Sequence, residues 1–276
     1  MKRILVLLFA TLAATGAASA DAQKGGPTTL LVGGKGVLAP DGKHRYVTVN
    51  SGFRTLVSVI RVRGAQVVRW RLVPGFVGIP VVGDDGTTDG VSRDGSTLVL
   101  AGTPEAAANG KVVTRFMLVD PRTTLKFRRV TLPATWAYDA VSADGSTLYL
   151  VEYENFGPSR TYRVRAYDVA TRKLLPRPIV DRKIGERLMR GWPVTRVTTT
   201  DGRWAYTLYA RAKKEPFVHA LDTARRQAYC IDLPLDLARA EQMALRLRLR
   251  GGRLDVRRGA NTVAIVDTRS FAVHGT

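Results

Sequence analysis

The segment Asp89–Leu100 reads DGVSRDGSTLVL, and it recurs fifty residues later as DAVSADGSTLYL at Asp139–Leu150. Looser copies stand at Ala39–Val47, Arg196–Tyr206 and Arg248–Val256. The turns at the centre of the five copies fall at positions 41, 94, 144, 201 and 251, so their spacings are 53, 50, 57 and 50 residues. A regular spacing of this length indicates a repeat architecture.

Each copy predicts a tight β-hairpin, because an Asp-Gly pair supplies the positive backbone angles of a two-residue turn and alternating apolar residues flank it. About twenty residues later, four units end a strand on an aspartate with a threonine close behind, at Asp120, Asp168, Asp222 and Asp267. Such side chains bond the backbone of a turn. Together the two motifs predict an all-β fold of about five four-stranded units.

The repeat resembles a known family of motifs. Ser-x-Asp-Gly-x-x-Leu-Tyr at Ser142–Tyr149, followed by Val-x-x-Tyr-Asp-x-x-Thr-x-Lys-Leu at Val164–Leu174, is similar to the YVTN-type and the TolB- and WD-like repeats of bacterial exported β-propellers. The resemblance covers the chain from about Lys35 to its end. It implies a propeller of about five blades around a central channel, with six blades as the alternative, and it is specific for the fold rather than the function.

The first twenty residues have the features of a cleaved secretory signal peptide. A short positive start precedes an apolar run, and the segment ends in Ala18-Ser19-Ala20, a small-residue cleavage site. No later stretch is long and apolar enough for a transmembrane helix. We therefore expect a signal peptide over residues 1–20 and a single propeller domain over residues 21–276, secreted or periplasmic.

The composition is strongly basic, with 43 basic and 23 acidic side chains and a net charge of +20. The excess is spread through the chain, which favours loose attraction to polyanions and does not indicate a nucleic-acid partner. Cys230 is the only cysteine, so no intramolecular disulfide is expected. We expect a monomer that binds a protein, a glycan or an anionic polymer.

Equivalent positions at the start of each innermost strand lie five residues before each turn, at Gly36, Asp89, Asp139, Arg196 and Arg246. Two carboxylates and two guanidinium groups would then surround one channel mouth, and converging polar groups in a concavity predict a binding site. The alternative is that Asp89 and Asp139 bond neighbouring loops and hold blades together.

Two tryptophans and an arginine stripe extend this candidate surface. Trp136 and Trp192 precede the turns of the third and fourth units, where they would stack on a sugar or a partner side chain, or else fill the gap between blades. Arg246, Arg248 and Arg250 alternate with leucines, which makes one strand face all arginine. That face predicts contact with an anionic polymer or, alternatively, a solvated strand.

The residues that carry common chemistries lack the required spacing. His44, His219 and His274 are far apart, so no metal site is predicted, and the acidic loop 84–89 lacks the order of a calcium hand. No cofactor is expected. The sequence favours a non-catalytic binding or scaffolding propeller; the alternative is a carbohydrate-active hydrolase or lyase with carboxylates from separate blades, such as Asp89 and Asp139.

Overall fold

The computed structural model describes residues 29–154, 161–182, 188–212 and 214–275. These residues contain five antiparallel sheets of four strands, which we call blades I to V in chain order. The expected all-β fold of about five four-stranded units is confirmed. The predicted signal peptide lies outside the described residues. Within them, no helix is long and apolar enough to cross a bilayer.

Blades I and II come from the first half of the chain. Blade I consists of β2 (Val37–Leu38), β3 (His44–Ser51), β4 (Arg54–Arg61) and β5 (Gln66–Pro74). Blade II consists of β6 (Val77–Val81), β7 (Leu98–Gly102), β9 (Val112–Asp120) and β10 (Lys126–Pro133). Two short strands extend blade II, since β1 (Thr29–Leu31) pairs with β6 and β8 (Glu105–Ala106) pairs with β9.

The remaining blades follow in order. Blade III consists of β11 (Trp136–Val141), β12 (Thr147–Tyr153), β13 (Tyr162–Asp168) and β14 (Lys173–Leu174). Blade IV consists of β15 (Trp192–Thr198), β16 (Trp204–Ala210), β17 (Phe217–Asp222) and β18 (Gln227–Asp232). A short helix, α1 (Arg239–Met243), leads to blade V, which consists of β19 (Leu245–Arg250), β20 (Arg253–Arg258), β21 (Asn261–Asp267) and β22 (Val273–Gly275).

The repeated Ser-x-Asp-Gly motif is a hydrogen-bonded turn between the first two strands of a blade. In blade III, Asp144 Oδ1 accepts bonds from Ser146 N at 3.0 Å and from Ser142 Oγ at 2.6 Å, and Ser142 Oγ accepts a bond from Thr147 N at 2.9 Å. Asp94 makes the same bonds with its two serines in blade II. These bonds satisfy the backbone of the turn, which is the physical reason for the repeat.

The turns of neighbouring blades also touch one another. Asp94 N donates to Ala143 O at 2.9 Å, and Ser96 Oγ donates to Asp144 O at 3.4 Å. Gly145, which has a φ of +70°, lies with its α-carbon against the Thr97 side chain of blade II. The turns therefore contribute contacts between blades as well as within them.

Separate apolar clusters join each blade to the next one along the chain. Leu98 and Met117 of blade II pack against Val57 of blade I, while Phe116 of blade II packs near Trp136 of blade III. Blades III and IV share two clusters, and blades IV and V share one. Burying each large aliphatic side chain contributes about 1.5–3 kcal/mol, so these clusters supply most of the cohesion between blades.

The junction of blade V with blade I differs from the other four. None of the core clusters of the described residues combines side chains from these two blades. The hydrogen bonds and ion pairs among those same residues include none between β2–β5 and β19–β22. We call this junction the open seam.

Candidate functional site

A buried ion-pair cluster lies where the inner strands of blades III and IV approach the channel. Arg196 of β15 contacts Asp139 of β11 through both a carboxylate oxygen and the main-chain carbonyl oxygen. Arg196 Nε donates to Thr207 Oγ1 at 2.8 Å, and its Nη1 lies 3.6 Å from Asp89 Oδ2. The side chains of Arg196 and Asp139 are only 3% and 2% exposed, so neither is accessible to a ligand.

The electrostatics of this cluster follow from burial and charge. Burial alone would lower the pKa of Arg196, but Asp139 and Asp89 together raise that pKa above its usual value. Burial raises the pKa of Asp89, although Arg196 opposes the shift. The guanidinium thus stays charged and is held chiefly by Asp139. This arrangement ties blades III and IV together through the Arg196 guanidinium rather than through loop backbone.

The channel mouth is crossed by an internal loop. Between β6 and the turn of blade II, residues 82–89 leave the blade and reach β15 of blade IV, where Asp84 N and Asp85 N donate to Pro193 O and Val194 O, both at 3.1 Å. Because blades II and IV are not neighbours in the ring, the loop that makes these bonds spans the channel mouth. The sequence predicted an acidic loop here but not its position.

Two of the predicted site residues, Trp192 and Arg246, contact this loop. Trp192 Nε1 donates to Asp84 Oδ1 at 3.2 Å, and the Arg239 guanidinium lies 6.0 Å above the Trp192 ring. Asp85 Oδ2 lies 3.7 Å from Arg246 Nε. Trp192 and Arg246 are therefore brought together at one side of the mouth, by way of the loop.

The other two sequence-derived positions lie elsewhere. Trp136 is 2% exposed, and its Nε1 donates to Pro133 O at 2.6 Å. Its ring belongs to the core between blades II and III, so the expectation of a ligand contact at Trp136 is corrected to a packing role. Gly36 has a φ of +59° and lies tightly against the Tyr46 backbone, which explains glycine at that position.

The acidic loop does not assemble a metal site in the part of the chain that the structure describes, where no group of three or more acidic, histidine or cysteine side chains converges. Its carboxylates have other partners: Asp85 Oδ1 accepts bonds from Thr87, and Asp89 Oδ1 accepts a bond from Gly90 N at 2.7 Å. The Asp89 and Asp139 pair is engaged with Arg196. A hydrolase or lyase would therefore have to draw its free carboxylates from other residues.

A polar cleft of about 800 Å³ lies between blade IV and the segment 235–242 that leads to blade V. Its wall is organised by Gln242, which is 2% exposed, accepts a bond from Arg211 N at 2.8 Å and donates to Lys214 O and Leu237 O. Arg211 in turn pairs with Asp232 at 2.5 Å. Gln242 and Arg211 are therefore engaged within the wall, while the lining also includes the charged side chains of Lys214, Glu215, Asp236 and Arg239.

Blade V presents an exposed arginine face toward the open seam. Arg246, Arg248 and Arg250 of β19 stand on one side of the sheet with Arg253 and Arg257 of β20, and we call these five residues the arginine face. Arg246 is directly opposite Arg257, and Arg250 is directly opposite Arg253. The arginine stripe that the sequence indicated thus extends over two strands.

Few carboxylates neutralise this face. Among the described residues, ion pairs join Arg253 Nε to Asp255 Oδ1 at 2.9 Å and Arg246 to Asp85, and leave Arg248, Arg250 and Arg257 with no acidic partner. Like charges directly opposite each other on a sheet are destabilising. Arg248, in contrast, is directly opposite Asp255, so the face combines two unfavourable pairs with one favourable pair and has a local positive potential.

Blade I presents an exposed apolar face toward the same seam. Leu38, Val49, Val67, Trp70 and Leu72 point away from blade II, and we call these five residues the apolar face. Trp70 is 63% exposed and Val67 is 51% exposed. Sequence reasoning missed this surface, because alternation shows that both faces of a strand carry apolar residues without showing whether a neighbour covers them.

Comparisons with known proteins identify structural relatives only. No family model and no curated protein matches the chain. TolB from Acinetobacter baumannii is 14% identical with a TM-score of 0.45, over 89% of this chain and 53% of the TolB chain. The β-propeller domain of Cps50 (Swd1) from Myceliophteria thermophila is 13% identical with a TM-score of 0.46, over 86% of this chain and 65% of that domain.

A functionally unknown protein from Desulfotomaculum acetoxidans is 13% identical with a TM-score of 0.50, over 87% of this chain and 67% of that one. The chain thus spans 53% and 65% of the first two structures it matches. At such identities the similarity concerns the fold alone. With five four-stranded antiparallel blades in chain order, the chain has a β-propeller fold.

Proposed function

We propose that the chain is an extracytoplasmic, non-catalytic binding propeller, and that it binds an anionic macromolecule at the open seam rather than at the channel mouth. The observation that carries the proposal is the arginine face of blade V. In this face, Arg246 is opposite Arg257 and Arg250 is opposite Arg253 on the neighbouring strand. Three of the five guanidinium groups lack a carboxylate partner among the described residues.

The physical argument is that bound anions would relieve this repulsion. A guanidinium binds a carboxylate, sulfate or phosphate through two parallel hydrogen bonds, and such charge-assisted bonds are about twice as strong as neutral ones. Arg248 and Arg250 project from alternate positions of one strand, so an extended polyanion could contact both. The ligand therefore gains binding energy from a face that is unfavourable without it.

The channel mouth is the weaker candidate. Asp139 and Arg196 are buried in their own ion pair, Trp136 lies in the core, and the loop 82–89 crosses the axis. Of the residues predicted at the mouth, Trp192, Asp89 and Arg246 retain exposed surface, and Arg246 also belongs to the arginine face. We therefore assign Arg246 to the proposed binding surface and propose Trp192 as a residue at its margin, while Asp89 stays with Arg196.

The test is a titration of the purified mature protein with dextran sulfate at ~0.05 M and ~0.3 M salt, since screening weakens contacts between exposed charges. The variant Arg248→Gln/Arg250→Gln is compared with Arg63→Gln/Arg129→Gln, which removes the same charge from exposed arginines on blades I and II. We expect the first variant to weaken binding about tenfold and the second less than about twofold. Equal losses in both variants would contradict the proposal, because they would show that only the overall charge matters.

A further inference from the structure

The open seam has two walls of opposite chemistry. Blade I is covered on one face by blade II, so its apolar face points toward blade V. Blade V is covered on one face by blade IV, so its arginine face points toward blade I. Because each blade of a propeller packs between two neighbours, the two free faces border the same space.

The apolar wall combines several exposed apolar side chains on one sheet face. In addition to Trp70 and Val67, it includes Leu38, Val49 and Leu72, which are 46%, 44% and 38% exposed. Soluble proteins rarely expose contiguous apolar patches beyond a few hundred Å², and larger ones mark interaction sites. The wall therefore has the properties of a surface that is covered by an occupant.

The basic wall explains why the two blades do not cover each other. Direct packing of the arginine face on the apolar face would remove Arg248, Arg250 and Arg257 from water without an acidic partner among the described residues, and the desolvation of an unpaired charge costs several kcal/mol. An occupant of the seam must therefore be two-faced, with apolar groups toward blade I and acidic groups toward blade V.

We propose that the open seam binds an amphipathic β-structured segment of a partner protein, with aliphatic residues on one face and glutamate or aspartate on the other. Successive side chains of a strand point to opposite faces, so one hairpin supplies both chemistries at once. This inference rests on the proposed function and names the class of its ligand. A uniformly anionic polymer would match the arginine face alone.

Charge complementarity favours a partner over a second copy of this chain. The net charge of +20 makes two copies repel each other, and a second copy that presents its own seam would offer arginines or apolar residues, rather than acidic residues, to the arginine face. A partner segment rich in acidic residues is instead attracted to the seam before it makes contact, which raises its rate of association.

The test uses two synthetic probes: a disulfide-closed hairpin peptide with valine on one face and glutamate on the other, and a polyglutamate peptide of equal charge. Each is titrated against the mature protein and against Trp70→Ser/Leu72→Ser and Arg248→Gln/Arg250→Gln. Val112→Ser is the control, since Val112 is an exposed apolar residue of blade II, 44% exposed. Thermal unfolding confirms that each variant is folded.

We expect each double variant to weaken binding of the hairpin about tenfold or more, while Val112→Ser leaves it unchanged. Binding of polyglutamate should respond to the arginine variant alone. If Trp70→Ser/Leu72→Ser leaves hairpin binding unchanged, the inference of an amphipathic protein partner is wrong, while binding of an anionic polymer at the arginine face remains supported. If neither probe nor dextran sulfate depends on Arg248 and Arg250, the proposed function itself fails. Self-association of the protein that Trp70→Ser/Leu72→Ser abolishes would identify a second copy as the occupant and overturn the inference.

Discussion

Arg196 joins two inner strands from a fully buried position, and its removal tests the structural role of the cluster. Arg196→Met leaves the Asp139 carboxylate buried with no cation beside it. We expect the free energy of unfolding to fall by ~3–5 kcal/mol, because removing one member of a buried ion pair leaves the other charge buried and uncompensated. Arg122→Met is the control, since Arg122 is 60% exposed and pairs with Asp120 at 3.3 Å; it should cost less than ~1 kcal/mol. Urea unfolding of both variants measures the difference, and similar losses would contradict a special role for Arg196.

His219 provides a prediction about pH. The side chain is buried against Cys230, and burial lowers its pKa; Arg196 also lowers this pKa, while Asp139 and Asp181 oppose the shift. The unfolded chain therefore binds a proton at a higher pH than the folded chain does. Stability is present in full above the unfolded pKa of ~6.5 and declines as pH falls below it.

The variant His219→Gln removes this titration. We expect the free energy of unfolding of the native protein to fall between about pH 7 and about pH 5 more steeply than that of the variant. Urea unfolding of both proteins across this range measures the two slopes. Parallel curves would show that His219 does not contribute to the pH dependence of stability.

Each Asp-Gly hairpin has a glycine that needs a positive φ, but only some of these glycines also touch a neighbouring blade. Gly42 and Gly145 have φ values of +66° and +70°, so an alanine meets similar backbone strain at both. A side chain at Gly145 would collide with Thr97 of blade II, while nothing lies within 4 Å of a side chain at Gly42. We expect Gly42→Ala to cost ~1–2 kcal/mol and Gly145→Ala at least ~1 kcal/mol more. Thermal or urea unfolding measures both, and equal costs would mean that the turns do not pack against one another.

The strands and turns were largely predictable from the sequence because their determinants are local. One turn shows this: Ser142 and Asp144 form its side-chain hydrogen bond, and Gly145 adopts the positive φ that it requires. The path of residues 82–89 was not predictable, because that loop is positioned by bonds to Pro193 and Val194, more than a hundred residues away. Similarly, the sequence places Trp136 before a turn, but only packing between blades II and III determines that its ring is buried.

At the scale of the whole molecule, the spacing of the repeat predicted the number of blades. It did not predict that, within the described ranges, blades V and I lack a shared core. The stripe at Arg246, Arg248 and Arg250 was visible in the sequence, and its alternation correctly predicted a strand with one basic face. Which surface lies opposite the arginine face depends on blade I, which is formed by the other end of the chain. The apolar face of blade I became recognisable only when the sheet register showed that Trp70 and Leu72 point away from blade II.

The open seam is the central claim, and thiol labelling tests it directly. In a Cys230→Ser background, a cysteine is placed at Val49, which is 44% exposed on the apolar face, or at Val57, which is 0% exposed on the covered face of the same blade. We expect Val49→Cys to react at least about a hundredfold faster than Val57→Cys, since a buried thiol reacts only after local opening. Protection of Val49→Cys to the same degree as Val57→Cys would show that blade V covers blade I, and would contradict the open seam.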